Sequence, residues 1–150
     1  MKQRAAVAMS ADEVAALLAQ ARKVHLATIN PDGTPHLVTM FYGLSGGRIA
    51  FWTYRAAQKA RNLARDPRVT CLVEDGEDYF ELRGVQVAGV ARRVDDPAGV
   101  AAVGHLIAAR MPGMPAEALD DYVARAAPKR AAYLVEPARV VSWDHRKLLT

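Results

Sequence analysis

The run Asn30-Pro31-Asp32-Gly33 is the strongest local constraint in this 150-residue chain. Proline pre-sets its own φ, an aspartate carboxylate can bond the backbone two residues on, and glycine accepts a left-handed conformation, so the segment is a turn by mechanism. On either side lie the β-prone runs 24–29 and 37–42, which makes the whole a hairpin. Ser45-Gly46-Gly47 adds a second turn, and Arg48–Tyr54 (RIAFWTY) reads as a third strand with aromatic residues towards its end. The spacing predicts a three-stranded antiparallel meander.

Helical signals bracket that meander. Ser10 with Glu13 is a capping box, and Val14, Leu17, Leu18 and Ala21 recur at helical spacing, predicting a helix over 11–21. A short helix is expected over 56–64, closed by Asp66-Pro67. Strands follow over 69–73 and 79–94, the second containing Gly84 and Gly89, which suit a bulge or a barrel corner. Helices over 97–111 and 115–127 each open on a proline, where the missing N–H costs nothing. Two last strands, 132–135 and 139–143, form a hairpin about Glu136-Pro137. No repeat, linker or low-complexity tract interrupts this order. The expectation is one domain, residues 1–150, mainly β with peripheral helices (α+β), an antiparallel barrel with the helices packed outside.

Composition narrows the chemistry. A net charge of +4 is mild for this length and argues against a nucleic-acid coat. No apolar run approaches the roughly 20 residues that span a bilayer, and Met1 to Ser10 lacks the apolar centre of a signal peptide. A soluble, cytoplasmic protein with no membrane partner is expected. The single cysteine, Cys71, lies in an apolar strand as a buried thiol, and the scattered His25, His36, His105 and His145 offer no metal-ligand spacing, so no metal is expected. Charge is sorted along the chain. Arg48, Arg55, Lys59, Arg61, Arg65 and Arg68 face only Asp66, and then Glu74, Asp75, Glu77, Asp78 and Glu81 follow with no base among them. One anion-facing surface is the simplest consequence.

Chemistry concentrates where the third strand meets the short helix. A strand ending in Thr53 and Tyr54 runs into a helix that begins with Gln58, Lys59 and Arg61. Free N–H groups and the partial positive charge of a helix N-terminus, joined by Thr53, Arg55, Gln58, Lys59 and Arg61, suit a phosphate. The same residues also fit a merely solvated basic helix face. Trp52 and Tyr54 would serve as stacking platforms if the barrel bound single-stranded nucleic acid instead.

The chain resembles the pyridoxamine-phosphate-oxidase-like split β-barrel superfamily. Its flavin-phosphate signature, Phe-Tyr-Thr-Asn-x-x-Ser-Arg-Lys-Ala-x-x-Leu, is matched here by Phe51-Trp52-Thr53-Tyr54, Gln58-Lys59-Ala60 and Leu63. The family strand Arg-Gln-Val-Arg-Val-x-Gly is similar to the run from Arg83 to Gly89. The ending from Val140 to Leu148 resembles those of the deazaflavin-dependent branch. Val38, Gln58 and Gly84 stand where the vitamin B6 oxidases carry Arg, Arg and Gln, which implies a member nearer the deazaflavin and flavin reductases. The resemblance implies a split β-barrel homodimer with coenzyme F420 (alternatively FMN) between subunits, transferring hydride to an activated double bond of a small unsaturated or aromatic substrate. An FMN reductase or oxidase, or a non-catalytic flavin or haem carrier, remains open. By the same resemblance Thr39, Met40 and Phe41 would line the ring, Thr53, Tyr54, Arg55, Gln58, Lys59 and Arg61 would hold phosphate and tail, and Trp143 and Lys147 would reach the partner's site. Trp143 serves equally as a core or interface aromatic. A barrel mouth lined by Phe51, Trp52 and Tyr54 is expected to be covered by the second subunit.

Overall fold

A computed structural model describes residues 2–150. Its centre is one seven-stranded antiparallel sheet, curled into a half-barrel and ordered β2-β1-β5-β6-β7-β4-β3. The strands are β1 (Lys23–Ile29), β2 (Pro35–Phe41), β3 (Gly43–Ser45), β4 (Arg48–Tyr54), β5 (Arg68–Asp75), β6 (Arg83–Val94) and β7 (Arg130–Asp144). The helices are α1 (Lys2–Val7), α2 (Ala11–Gln20), α3 (Gln58–Arg65), α4 (Pro97–Ala108) and α5 (Ala116–Ala126).

The turn residues behave as their chemistry requires. Asp32 accepts the Thr34 N–H at 3.0 Å, Gly33 takes φ +86°, and β1 pairs with β2 from Lys23↔Phe41 to Ile29↔Pro35. Ser10 accepts the Glu13 N–H at 3.2 Å and caps α2. The meander, however, is not formed. β4 leaves β2 and pairs with β7, from Ala50↔Leu134 to Tyr54↔Arg130, with β3 as a short outer strand. Alternation specifies a strand but not its neighbour, and here the aromatic run of β4 is buried on both faces. Phe51 stacks on Tyr133 (centroids 5.1 Å apart) in the barrel interior, while Trp52 packs under α4 and α5.

The expected C-terminal hairpin is also absent. β7 runs unbroken beside β6, and Glu136-Pro137 marks a bulge in that pairing rather than a turn: Ala88 faces Arg139 and Gly89 faces Pro137. Gly89 is required there, because a Cβ would run into the Glu136 carbonyl oxygen. The segment expected as one strand from 79 begins with a 3₁₀ turn, Tyr79–Glu81, and α1 carries no signal that a sequence pattern exposes. No helix among the described residues is long and apolar enough to cross a membrane.

Two cores result. One fills the barrel with Leu17, Leu18, Val24, Leu26, Tyr42, Phe51, Val73, Val85 and Val135, and the other joins Trp52 and Ala50 to α4 and α5. Phe51 and Trp52 are therefore covered within the protomer and line no open mouth; only Tyr54 of that trio is exposed. Exposed apolar side chains lie elsewhere: Leu37 (67%) and Phe41 (46%) share the outer face of β2, and Tyr79, Phe80, Val140 and Leu149 are exposed away from it.

Candidate functional site

α3 begins three residues beyond β4 and is too polar to hold itself in place by apolar burial alone. Leu63 enters the barrel core, and Asn62, fully buried, ties the helix to β1. Its Nδ2 donates to Thr28 Oγ1 and to Asn30 Oδ1, both at 3.0 Å. At the other end the helix has no side-chain cap at Ala57, so its first N–H groups are open to an external acceptor.

Around that open end the fold gathers cations. Arg130, at the start of β7, lies opposite Tyr54 in register and lays its guanidinium 3.8 Å over the Tyr54 ring and 5.4 Å from that of Trp52. Its Nε is buried and makes no hydrogen bond. Arg55 is fixed alongside: its N–H donates to the Lys129 carbonyl at 3.1 Å and its Nε to the Arg130 carbonyl at 3.3 Å. Lys59 is half-buried, and burial first, then the field of Arg130, pushes its ammonium below the ordinary lysine pKa. Among the described residues no carboxylate lies within ion-pair distance of Arg55, Lys59, Arg61 or Arg130. Cations without counter-charge near an uncapped helix end have the chemistry to attract an oxyanion such as phosphate.

Arg130 is the member that sequence reasoning missed. It lies far from the strand-helix segment in the chain and enters only because β4 pairs with β7. The other expected residues divide. Thr53 is buried on the barrel side of β4, whereas Tyr54 points the opposite way under Arg130. Gln58 bonds Asn62 and Arg61 rather than standing free. Asn30, Pro31, Asp32, His36 and Gln58 line a shallow, open surface depression of about 530 Å³ beside the helix end.

On β2 the three expected ring contacts cannot share one face. Thr39 and Phe41 are on the outer side, where Thr39 Oγ1 lies 3.1 Å from His25 Nδ1, while Met40 turns inward against the barrel core. Strand alternation imposes that division. Trp143 and Lys147 lie at the far end of β7 from Arg130. Trp143 lies against the backbone of Gly84, whose missing Cβ makes room for the indole. Lys147 donates to the Ala8 carbonyl at 2.9 Å and pairs with Glu13 at 2.8 Å. Cys71 is buried and its thiol is pushed up to about 12 by desolvation, an unreactive state.

The family model for pyridoxamine 5'-phosphate oxidase matches residues 10–144, spanning every strand of the sheet. The chain belongs to this family. A conserved hypothetical protein from Mycobacterium tuberculosis is 42% identical, with a TM-score of 0.92 over 100% of this chain and 94% of that one. An F420 reductase is 26% identical, with a TM-score of 0.60, covering 83% of this chain and 93% of its own. A haem-binding protein from Mycobacterium smegmatis shares the fold at 24% identity and a TM-score of 0.68; the match covers 94% of this chain and 60% of that protein. No protein with a curated description matches the sequence. Family membership thus places this chain among relatives of pyridoxamine 5'-phosphate oxidase, and the haem-binding protein is similar to it in fold.

Proposed function

We propose that this pyridoxamine 5'-phosphate oxidase family member is an F420-dependent reductase acting on a small unsaturated or aromatic substrate. The observation that carries this reading is the set of cations about α3 with no carboxylate of the described residues within ion-pair distance: Lys59 and Arg130, with Arg55 beside them and Arg61 on the other flank of the helix. That donor set fits a phosphate and leaves further positive charge for an acidic tail. Lys59, the open N–H groups of α3 and Arg130 would hold the phosphate, and the outward pair Thr39 and Phe41 on β2 offers a surface for a ring. When bound, the deazaflavin supplies hydride chemistry that scarcely engages dioxygen. The protein's own contribution is to bind, orient and exclude water.

Dimerisation belongs to the same proposal, because the outer face of β2, with Leu37 and Phe41 exposed, offers an apolar patch that a second copy would cover. Trp143 and Lys147 would then serve the partner's site from across the interface. A haem carrier is favoured by a different observation: His145 Nδ1 lies 2.8 Å from the Tyr79 carbonyl, an arrangement that leaves Nε2 available as a ligand.

The test is a side-by-side titration of the purified protein with F420 and FMN, followed by an assay for substrate-dependent F420H2 oxidation and hydrogen peroxide. Preferred F420 binding with turnover and no peroxide supports the reading. Tighter FMN binding or peroxide release transfers it to a flavin enzyme, and a Soret band in the purified protein transfers it to a haem carrier.

A further inference from the structure

A chain of side-chain amides runs outward from the barrel and ends on a cation. Asn62, with no exposed surface, uses both of its Nδ2 hydrogens, one on Thr28 Oγ1 and one on Asn30 Oδ1. Its Oδ1 can then only accept, so the Gln58 group 2.8 Å away must be the Nε2 donor. Gln58 is oriented in turn, and its Oε1 faces outward as an acceptor that takes a hydrogen from Arg61 Nη2 at 2.9 Å. Every orientation in the series follows from the one before it. Its terminus is an exposed guanidinium with no carboxylate of the described residues within ion-pair distance, drawn back towards the first turn of α3.

The direction of Arg61 matters as much as its order. Residues two apart on an α-helix point about 200° apart around its axis, so Lys59 and Arg61 stand on opposite flanks of α3. Lys59 lies within the field of Arg130, whereas Arg61 lies on the Gln58–Asn62 side. A phosphate on the Lys59 flank therefore leaves Arg61, bonded to Gln58, directed to the other side of the helix. We infer that Gln58 is a positioning residue, held by Asn62, that presents Arg61 to a second anionic group of the ligand, and so selects ligands with two separated anionic groups over phosphate monoesters. This inference rests on the cofactor reading above and adds to it the residue that discriminates between the two cofactors.

The experiment compares wild type, Gln58→Ala, Arg61→Ala and the double variant, titrated separately with F420, which carries a phosphodiester and a carboxylate tail, and with FMN, a monoester. Each single change is expected to weaken F420 binding by roughly tenfold. The double variant should be no weaker than either single one, and FMN affinity should stay within about twofold. Multiplying effects, an unchanged F420 affinity in Gln58→Ala, or an equal loss for FMN would each overturn the inference. A ligand-free readout separates its failure from that of the cofactor reading. The Arg61 guanidinium resonance should show restricted rotation in wild type and free rotation in Gln58→Ala, with the melting temperature of that variant little changed. A guanidinium as mobile in wild type as in Gln58→Ala overturns the positioning role whatever the protein binds, whereas a restricted one in a protein that binds neither cofactor upholds the positioning role and refutes the cofactor reading.

Discussion

Replacing Lys59 with methionine should weaken ligand binding and strengthen the empty fold at once. Its ammonium is half-buried and lies in the field of Arg130, and both effects hold its pKa below the ordinary value. Folding therefore disfavours the charged form. That penalty is complete below the folded-state pKa and fades as pH rises through it towards the unfolded value. Methionine has similar length and no charge, so Lys59→Met should raise the melting temperature of the ligand-free protein at neutral pH, with the gain shrinking at alkaline pH. Ligand binding should move the other way. A charge-assisted hydrogen bond to phosphate contributes ~1.5–3 kcal/mol, so affinity should fall roughly tenfold to a hundredfold. Thermal shift with and without F420, alongside calorimetry, reads both effects. A variant that binds as tightly as wild type, or that melts lower when empty, would show that Lys59 is an ordinary solvated lysine and refute the reasoning.

Other perturbations test separate parts of the structure. Gly84→Ala puts a Cβ into the Trp143 indole and should cost ~1–3 kcal/mol by overpacking; chemical denaturation and Trp emission would reveal it, and an unchanged midpoint would mean the ring moves freely. Asp144 is buried and receives Arg146 Nε at 2.9 Å and Nη2 at 2.7 Å, which hold its carboxyl below the usual pKa. Its contribution to stability is present above the unfolded-state pKa and is lost as pH falls through the lower folded value. Asp144→Asn should accordingly flatten the acid side of the stability profile, and a profile as steep as wild type would place the acid sensitivity elsewhere. Leu37→Arg puts a charge on the exposed face of β2 and should give a monomer by light scattering if that face joins two copies, and an unaltered dimer would move the interface off β2.

The parts of the fold legible in the sequence are those set by neighbours along the chain. The Asn30–Gly33 turn, the Ser10 cap and the limits of β4 follow from turn chemistry, capping and alternation, and each lies where those rules place it. Strand partners are a different kind of information. Nothing local in Arg48–Tyr54 tells whether it pairs with β2 or with β7; that is decided by the fit of Phe51 against Tyr133 and of Trp52 beneath α4 and α5. Glu136-Pro137 has the residues of a turn, yet a proline at a bulge gives up no ladder hydrogen bond, and the strand continues through it. The same gap separates the legible from the hidden parts of the site. Lys59 stands out from its place in a basic helix start, but Arg130 becomes visible only through the β4–β7 register, and Met40 leaves the group once the pleat is assigned a face.

The sorting of charge shows how a sequence signal is refined by folding. Of the basic residues between positions 48 and 68, several are engaged locally. Arg65 donates to the Ile29 carbonyl, Arg68 forks onto Asp66 at 2.8 Å, and Arg48 lies in the field of Glu136. Those interactions fasten α3 and the strand ends. Near the start of α3, Arg55, Lys59 and Arg61 have no carboxylate of the described residues within ion-pair distance, and the fold adds Arg130 from a distant strand. The acidic run that follows is likewise taken up in part, with Asp75 pairing to Arg83 and Glu74 lying 3.6 Å from His25, so those carboxylates are committed to the sheet. A broad basic segment thus becomes a small set of unpaired cations on two flanks of one helix. The net charge of the chain is too small to suggest an anion site; the order of residues 48–68 localises the surplus, and pairing, residue by residue, narrows it to the start of α3.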